Sequence, residues 1–326
     1  MQISPSVRAA MVPDMNPMHP DFTSIYLIGP RGGQSLSIDS GEALERYQWF
    51  LRGYLAANEQ TEIGIAAITH HHSDHSGNLK WAHEHLKAEI TIPAGGRALL
   101  KGRIPAKVNT VAEGDTIDLG KGVRVQVIAT PGHSVDSLCY YIEDEGILFT
   151  GDTLLGSSTT TVWNLAQYRK SLDRLLELPN LKVICPGHGK IVHDPRERLQ
   201  MYIAHRDMRE RQVIDVLKTG KPITSWEIML RIYPDLDPRL RRGADNNVRR
   251  HLEQLEAQGQ LVVQPGKPRR STSAAKITHD IEHAHEHDRI IKHAKRLEER
   301  RRRAELRAQE NPPDEHWLEP PRYLLA

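Results

Sequence analysis

The sequence predicts an α/β domain followed by a small, mostly helical domain and a charged tail. Three observations carry this prediction. From about residue 24 to residue 185, short β-branched runs alternate with polar turns and a few helical patterns. Beyond Pro195 the strand-like runs give way to long helical ones, and from Ser271 charge dominates. With 326 residues, the chain can bury one large core and has room for more than one domain.

The elements follow in order. "SIYLIG", "SLSID", "IGIAAITH", "VRVQVIAT", "LCYYIED", "GILFTGD" and "KVICPGHG" are strands, and "GNLKWAHEHLKA" and "NLAQYRKSLDRLLEL" have the spacing of amphipathic helices. Several strands run into loops rich in Gly, Asp and His, which puts chemistry at strand ends. These elements define a catalytic domain over residues 1–204. "RERLQMYIAHRDMRERQVIDVLKTG" predicts a long helix ended by Gly220. "TSWEIMLRIYP" predicts a second, with Thr224 as N-cap and Glu227 completing a capping box. "ADNNVRRHLEQLEAQGQ" predicts a third, and "LVVQPGKPRR" a short β-wing. Three helices and a wing suggest a winged-helix domain over 205–270. Residues 271–326 are expected to form a charged tail with one helix, "IEHAHEHDRIIKHAKRLEERRRRAELRAQE", and a Pro-rich end.

Composition narrows the function classes. Hydrophobic residues make up 38% and charged residues 26%, as in an ordinary globular protein. No run of about 18 apolar residues occurs, so no membrane span is expected. The N-terminus lacks the apolar stretch of a secretory signal. The two cysteines, Cys139 and Cys185, sit inside apolar runs and read as buried thiols, so the cytoplasm is the default compartment. The net charge of +2 is uneven: residues 1–204 hold 19 basic against 22 acidic side chains, 205–270 hold 14 against 9, and 271–326 hold 11 against 11. Attraction to nucleic acid is therefore to be sought in the middle block.

The densest chemistry is "AITHHHSDHSGN", with four histidines and an aspartate between His70 and His75. The strand "IGIAAITH" delivers His70 at its C-terminal end, where a loop can turn His70, His72, Asp74 and His75 inward together. One loop cannot close two metal spheres, so further ligands are expected at other strand ends. His133 follows a Pro-Gly turn in "VIATPGHSVDS", Asp152 ends "GILFTGD", and His188 follows a second Pro-Gly turn in "KVICPGHGK".

His70 to His75 matches the H-x-H-x-D-H signature of the metallo-β-lactamase superfamily. His133, Asp152 and His188 follow in that family's order, 58, 19 and 36 residues apart in turn. Roughly residues 10–204 resemble the family. "GDTLLGSSTT", "CPGHGKIV", "NPMHPDFTSIYLIG" and the winged-helix-like block are similar to a β-lactamase-like subgroup that includes a eukaryotic endoribonuclease. The resemblance implies an αββα sandwich and a dinuclear site. His70, His72 and His133 would hold one metal, and Asp74, His75 and His188 the second. Asp152 would bridge them, and Asp74 would also orient the nucleophilic water. Nitrogen and oxygen ligands without thiolate suit two Zn2+ ions and do not exclude Mn2+ or Fe2+. Such a pair, about 3.5–4 Å apart, brings a bridging water to hydroxide near neutral pH.

Other residues carry two readings each. His71 either lines the pocket and supports a ligand or simply packs. Asp39 either closes its strand or supports a ligand. Thr69, Ser73 and Ser134 tie loops down, while Thr160 and Tyr168 either line the cleft or begin a helix. His83 and His85 are solvated or packed residues, not ligands. Arg239, Arg241, Arg242, Arg249 and Arg250 either form a solvated helix face or contact phosphates. His279, His283, His285 and His287, and the run "EERRRRAELR", read as wet helical surface.

Three functions compete. The first is hydrolysis of an ester-type bond in a small molecule, whether thioester, lactone, ester or lactam. The second is cleavage of single-stranded RNA by the same site. The third is a winged-helix regulator whose catalytic-looking domain only senses a ligand, and the complete ligand set argues against it. The short interval between Asp152 and His188 also lacks the insertions of the large RNA-processing branches. The basic middle block favours RNA, whereas the acidic balance of the catalytic domain opposes it.

Overall fold

The structure, a computed structural model, describes residues 1–13, 21–29, 33–58, 61–268 and 317–326. The chain divides into two compact units, Met1–Asp207 and Met208–Ala326, where the sequence suggests three segments.

The first unit is built on two sheets. Strands β1 (Val7–Pro13), β2 (Phe22–Ile28), β3 (Gln34–Ile38), β4 (Glu62–Ala67), β5 (Glu89–Pro93) and β6 (Asn109–Val111) lie side by side in chain order. The second sheet runs β11 (Val183–Pro186), β10 (Ile147–Gly151), β9 (Leu138–Ile142), β8 (Arg124–Ala129) and β7 (Thr116–Asp118). Side chains from the two inner faces meet in one core: Tyr26, Leu36, Ile38 and Ala67 from the first sheet, and Val127, Tyr140, Phe149 and Cys185 from the second. Helices α1 (Glu45–Ala57), α2 (Ser73–Ser76) and α3 (Leu79–Leu86) follow strands of the first sheet. Tyr47 and Leu51 of α1 and Leu79 and Ala82 of α3 pack with Ile25, Ile63 and Ile90 on that sheet's outer face. Helix α4 (Leu165–Leu176) and the start of α5 (Pro195–Leu217) cover the second sheet through Tyr168, Leu172, Leu199 and Tyr202. The layers are therefore helix, sheet, sheet, helix, as the resemblance implies.

This arrangement positions the site. β3 and β4 run parallel, and so do β10 and β11, with β8 pointing the same way as β10 across the antiparallel β9. Asp39, His70, His133, Asp152 and His188 all lie within four residues beyond the C-terminal end of one of these strands.

The second unit has α6 (Ser225–Ile232), entered through the Thr224–Glu227 capping box, and α7 (Pro238–Ala257). α7 starts six residues before the predicted "ADNNVRRHLEQLEAQGQ", because Asp237 accepts from the Arg239 amide and Pro238 suits the first turn. The wing is also different from a simple hairpin. β12 (Leu261–Gln264) pairs with β15 (Arg322–Leu325), and β13 (Lys267–Pro268) with β14 (Trp317–Glu319). The chain's last residues thus belong to the sheet of this unit, where the sequence suggests a tail. The expected tail helix and His279, His283, His285 and His287 lie outside the described residues. No described helix is long and apolar enough to cross a membrane.

Phe149 is fully buried between the sheets, with its ring 5.1 Å from that of Tyr26 at 60°. Phe149→Ala should lower the unfolding free energy of the first unit by about 3–5 kcal/mol, read from urea denaturation. A loss below about 1 kcal/mol would mean that the inter-sheet core does not hold this unit together.

Candidate metal centre

The loop after β4 is held tightly enough to turn its side chains inward. Ser40, at the end of β3, donates through its amide and hydroxyl to the His75 carbonyl, at 2.7 and 2.8 Å. Asn78 donates back to Ser40 through its amide and side chain, at 3.1 and 2.9 Å. The Ser76 hydroxyl caps the His71 and His72 carbonyls. Alternate side chains of His70-His71-His72 then face opposite ways: His70 and His72 turn to the centre and His71 turns aside.

The seven residues named from the sequence converge in two groups. In the first, His70 Nε2, His72 Nδ1 and His133 Nε2 stand 2.9–3.2 Å from one another. In the second, Asp74, His75, Asp152 and His188 each offer one ligand atom, all within 4.8 Å. His188 Nε2 lies 3.0 Å from Asp74 Oδ2 and 3.4 Å from Asp152 Oδ1. His75 Nε2 lies 3.3 Å from Asp152 Oδ1. Asp152 reaches both groups, its other oxygen being 3.7 Å from His133 Nε2.

The outer partners decide which nitrogens present lone pairs. His133 Nδ1 faces the Thr161 carbonyl at 2.8 Å and must carry the proton, so Nε2 turns a lone pair inward. His75 Nδ1 donates to Asp39 Oδ2 at 2.8 Å, with the same consequence for its Nε2. Thr23 Oγ1 stands 3.0 Å from His188 Nδ1, and Thr69 Oγ1 is 3.1 Å from His70 Nδ1. Asp39 is itself anchored by the Thr69 amide and hydroxyl at 2.7 and 3.0 Å. Gly187 leaves room for this packing: a Cβ there would stand 2.6 Å from His75 Cε1 and 2.9 Å from Asp152 Oδ1.

Two buried atoms in the centre, His75 Nε2 and Asp152 Oδ1, have no hydrogen-bond partner. Unpaired polar atoms are costly to bury, and these two stand 3.3 Å apart with no hydrogen bond between them. A divalent cation satisfies that arrangement, and the nitrogen–oxygen donor set fits zinc. The electrostatics differ between the two groups. Burial, with His75, His133 and His72, drives the His70 pKa well below its usual range. Burial and then His133 lower His72 to about 4, and burial lowers His133 despite Asp152. All three rings are therefore neutral and ready to ligate near pH 7. Burial pushes the carboxyls of Asp74 and Asp152 upward, but the surrounding histidines outweigh it and hold both below the usual range. Burial likewise disfavours charged His75, yet Asp39, Asp152 and Asp74 outweigh it and raise that pKa well above 6.5.

The other candidates named from the sequence divide. Asp39 takes the second of its two readings: its backbone is left-handed, with φ of 66°, and its carboxylate orients His75. Thr160 is buried with its hydroxyl 2.9 Å from His133 Nδ1, so it supports that ring and does not line a cleft. Tyr168 is buried in α4, donates to the Thr153 carbonyl at 2.7 Å and packs under Arg206. His83 and His85 stay outside the site, on an exposed turn of α3. Thr23, Thr161 and Asp136 carry no signal in the sequence that singles them out. The Pro-Gly-His turns give no sign of them, because a hydroxyl or carbonyl contact across the fold leaves no local pattern.

Comparison with known proteins finds relatives for both parts of the chain. Residues 19–188 match the model of the metallo-beta-lactamase superfamily, and residues 224–268 match the beta-lactamase associated winged helix domain. The chain is 31% identical over 255 residues to a beta-lactamase-like protein 2 homolog of Caenorhabditis elegans, covering 78% of this chain and 85% of that one. It is 31% identical over 216 residues to an atrochrysone carboxyl ACP thioesterase of Aspergillus fumigatus, covering 66% of each. A solved beta-lactamase domain protein from Burkholderia ambifaria superposes with a TM-score of 0.72 at 22% identity, over 81% of this chain and 89% of that one, and so shares its fold.

The neutral histidines have a measurable consequence for the protein stripped of metal by chelator. A depressed His pKa contributes stability that is full above pH 6.5 and is lost as the pH falls towards the folded value, about 4 for His72. His75, whose pKa is raised, changes stability only above 6.5, and the lowered carboxyls act only below 3.8. The melting temperature of the stripped protein should therefore fall steadily from pH 6.5 to pH 4. A flat profile in that window would contradict the burial of these rings.

Proposed function

The chain belongs to the metallo-β-lactamase superfamily and carries the winged-helix domain associated with it. From that premise we propose that it is a hydrolase that holds two divalent cations, zinc in the first instance, and adds water to the ester-type bond of a small molecule. A thioester is the preferred substrate class. The observation that carries the proposal is the convergence of seven ligand atoms in a buried centre at the strand ends, with His75 Nε2 and Asp152 Oδ1 lacking any hydrogen-bond partner.

His70, His72 and His133 would hold one cation, Asp74, His75 and His188 the other, and Asp152 would bridge them. When bound, such a pair lowers the pKa of water towards neutrality and polarises a carbonyl oxygen. The chain's own residues do the rest. Asp39 and the Thr161 carbonyl keep His75 and His133 in the tautomers that leave the inner nitrogen bare. Asp74, at the edge of the cluster with its side chain 11% exposed, orients the incoming water. Thioester hydrolysis then forms one C–O bond, breaks the C–S bond and releases a thiol and a carboxylic acid.

Two observations support an acyl substrate. The similar Aspergillus protein is named as a thioesterase. In addition, Val135, Trp163 and Leu99 are exposed apolar side chains on the segments that frame the centre. Val135 lies two residues past His133, the Trp163 amide bonds the Gly132 carbonyl, and the Leu99 carbonyl accepts from Arg103, which also holds the His71 carbonyl. Exposed apolar side chains on these segments suit contact with an acyl chain.

Single-stranded RNA is the second reading, favoured by the sequence's resemblance to a β-lactamase-like subgroup that includes an endoribonuclease and by the basic balance of residues 205–270. Against it, arginines of α7 face nearby acids: Arg239 meets Asp237, Arg249 meets Asp245 and Arg250 meets Glu253. The cytoplasm is the proposed setting, in keeping with two free buried cysteines.

Purified protein should hydrolyse acyl-thioesters in a chelator-sensitive manner. Asp152→Ala should retain at most one ion by metal analysis and lose turnover, whereas two ions and full turnover would remove the assignment. Affinity for single-stranded RNA should vary little with salt. A steep decline of log affinity with log salt, with several counterions released, would favour the RNA reading instead.

A further inference from the structure

The three-histidine group draws on two loops, residues 70–76 and residues 131–137. Three ring nitrogens from these two loops stand within 3.2 Å of one another, so the gap between the loops must be fixed closely. A compact polar cluster stands between them. Asp136 is buried, and its Oδ1 accepts from His71 Nδ1 at 2.8 Å and from the Ser134 hydroxyl at 2.5 Å. The Ser134 hydroxyl also lies 3.1 Å from His71 Nδ1. His71 is the residue between the ligands His70 and His72, and Ser134 directly follows the ligand His133. One carboxylate oxygen therefore grips a neighbour of the ligands on each loop.

The rest of the cluster stiffens this grip. Arg103 donates to the His71 carbonyl at 2.6 Å, to the Ser76 hydroxyl at 2.5 Å and to the Leu99 carbonyl at 2.9 Å. Asp136 Oδ2 is buried with no hydrogen-bond partner, an unfavourable arrangement that a purely space-filling residue would not require. Gly96 stands beside it, where an added Cβ would lie 3.5 Å from Oδ2. Nothing in the proposed hydrolysis uses Asp136, His71 or Ser134.

We propose that Asp136 is a positioning residue: through His71 and Ser134 it sets the separation of the two loops, and so the geometry in which His70, His72 and His133 receive a cation. The Asp74–His75–Asp152–His188 group has braces of its own in Asp39 and Thr23, although Asp74 and His75 share the 70–76 loop. The proposal rests on the two-cation reading for its consequence, but the loop geometry can be observed without metal.

The test compares wild type, Asp136→Ala and Asp136→Asn, the last keeping an acceptor oxygen for both donors. In chelator-treated protein, nitrogen-15 histidine spectra of Asp136→Ala should shift for His71, His72 and His133, shift less for His75 and stay unchanged for His188. Asp136→Asn should largely restore the wild-type pattern. Zinc titration against a competing chelator should then show one of two sites in Asp136→Ala weakened by about 10–100-fold, with the other unaltered. Unshifted His72 and His133 signals, or equal disturbance of both groups, would overturn the clasp. A wild type that binds fewer than two ions would instead remove the two-cation reading, while the metal-free spectra still decide on the clasp.

Discussion

The structure turns on the problem of keeping aspartates and histidines together away from water. Asp39, Asp74 and Asp152 are buried among four nearly or fully buried imidazoles and the partly buried His72. A buried charge that lacks compensation costs several kcal/mol, so such a cluster persists only where each group is paired or where a cation completes it. The outer ring of partners supplies the pairing: Asp39 for His75, the Thr161 carbonyl for His133, Thr23 for His188 and Thr69 for His70. The inner atoms are left facing each other. That division, satisfied outside and unsatisfied inside, is what makes the centre a receptor for positive charge.

The two-sheet architecture exists in the service of this geometry. Each sheet contributes strands whose C-terminal ends meet at one edge of the sandwich, β3 and β4 from one, β8, β10 and β11 from the other. The dry core between them, with Tyr26 against Phe149, keeps those ends in register. Tyr26 and Tyr140 add a polar tether, since their hydroxyls donate to the Pro186 and Ile68 carbonyls at 2.6 and 2.8 Å, immediately before the turns to His188 and to Thr69-His70. Packing and ligand placement are thus enforced by the same side chains.

Much of this is legible in the sequence because the signals are local. A β-branched run ending in His or in Pro-Gly-His announces both the strand and the residue it delivers, and the seven proposed ligands stand in or just after such runs. The Thr224–Glu227 box marks its helix for the same reason. What stays hidden depends on contacts between distant segments. Asp39 and His75 are 36 residues apart, and Asp136 and His71 are 65 apart. Helix α1 starts after Leu44 with no side-chain cap, which leaves no boundary to read. The pairing of Arg322–Leu325 with Leu261–Gln264 joins segments that no periodicity connects.

Locating the cations tests the proposed centre most directly. Crystals grown with zinc and measured at its absorption edge should give two anomalous peaks about 3.5–4 Å apart. One should sit among His70 Nε2, His72 Nδ1 and His133 Nε2, the other among Asp74, His75 and His188, with an oxygen of Asp152 reaching both. Electron density lacking any peak there, with the imidazoles hydrogen-bonded to ordered water instead, would contradict it.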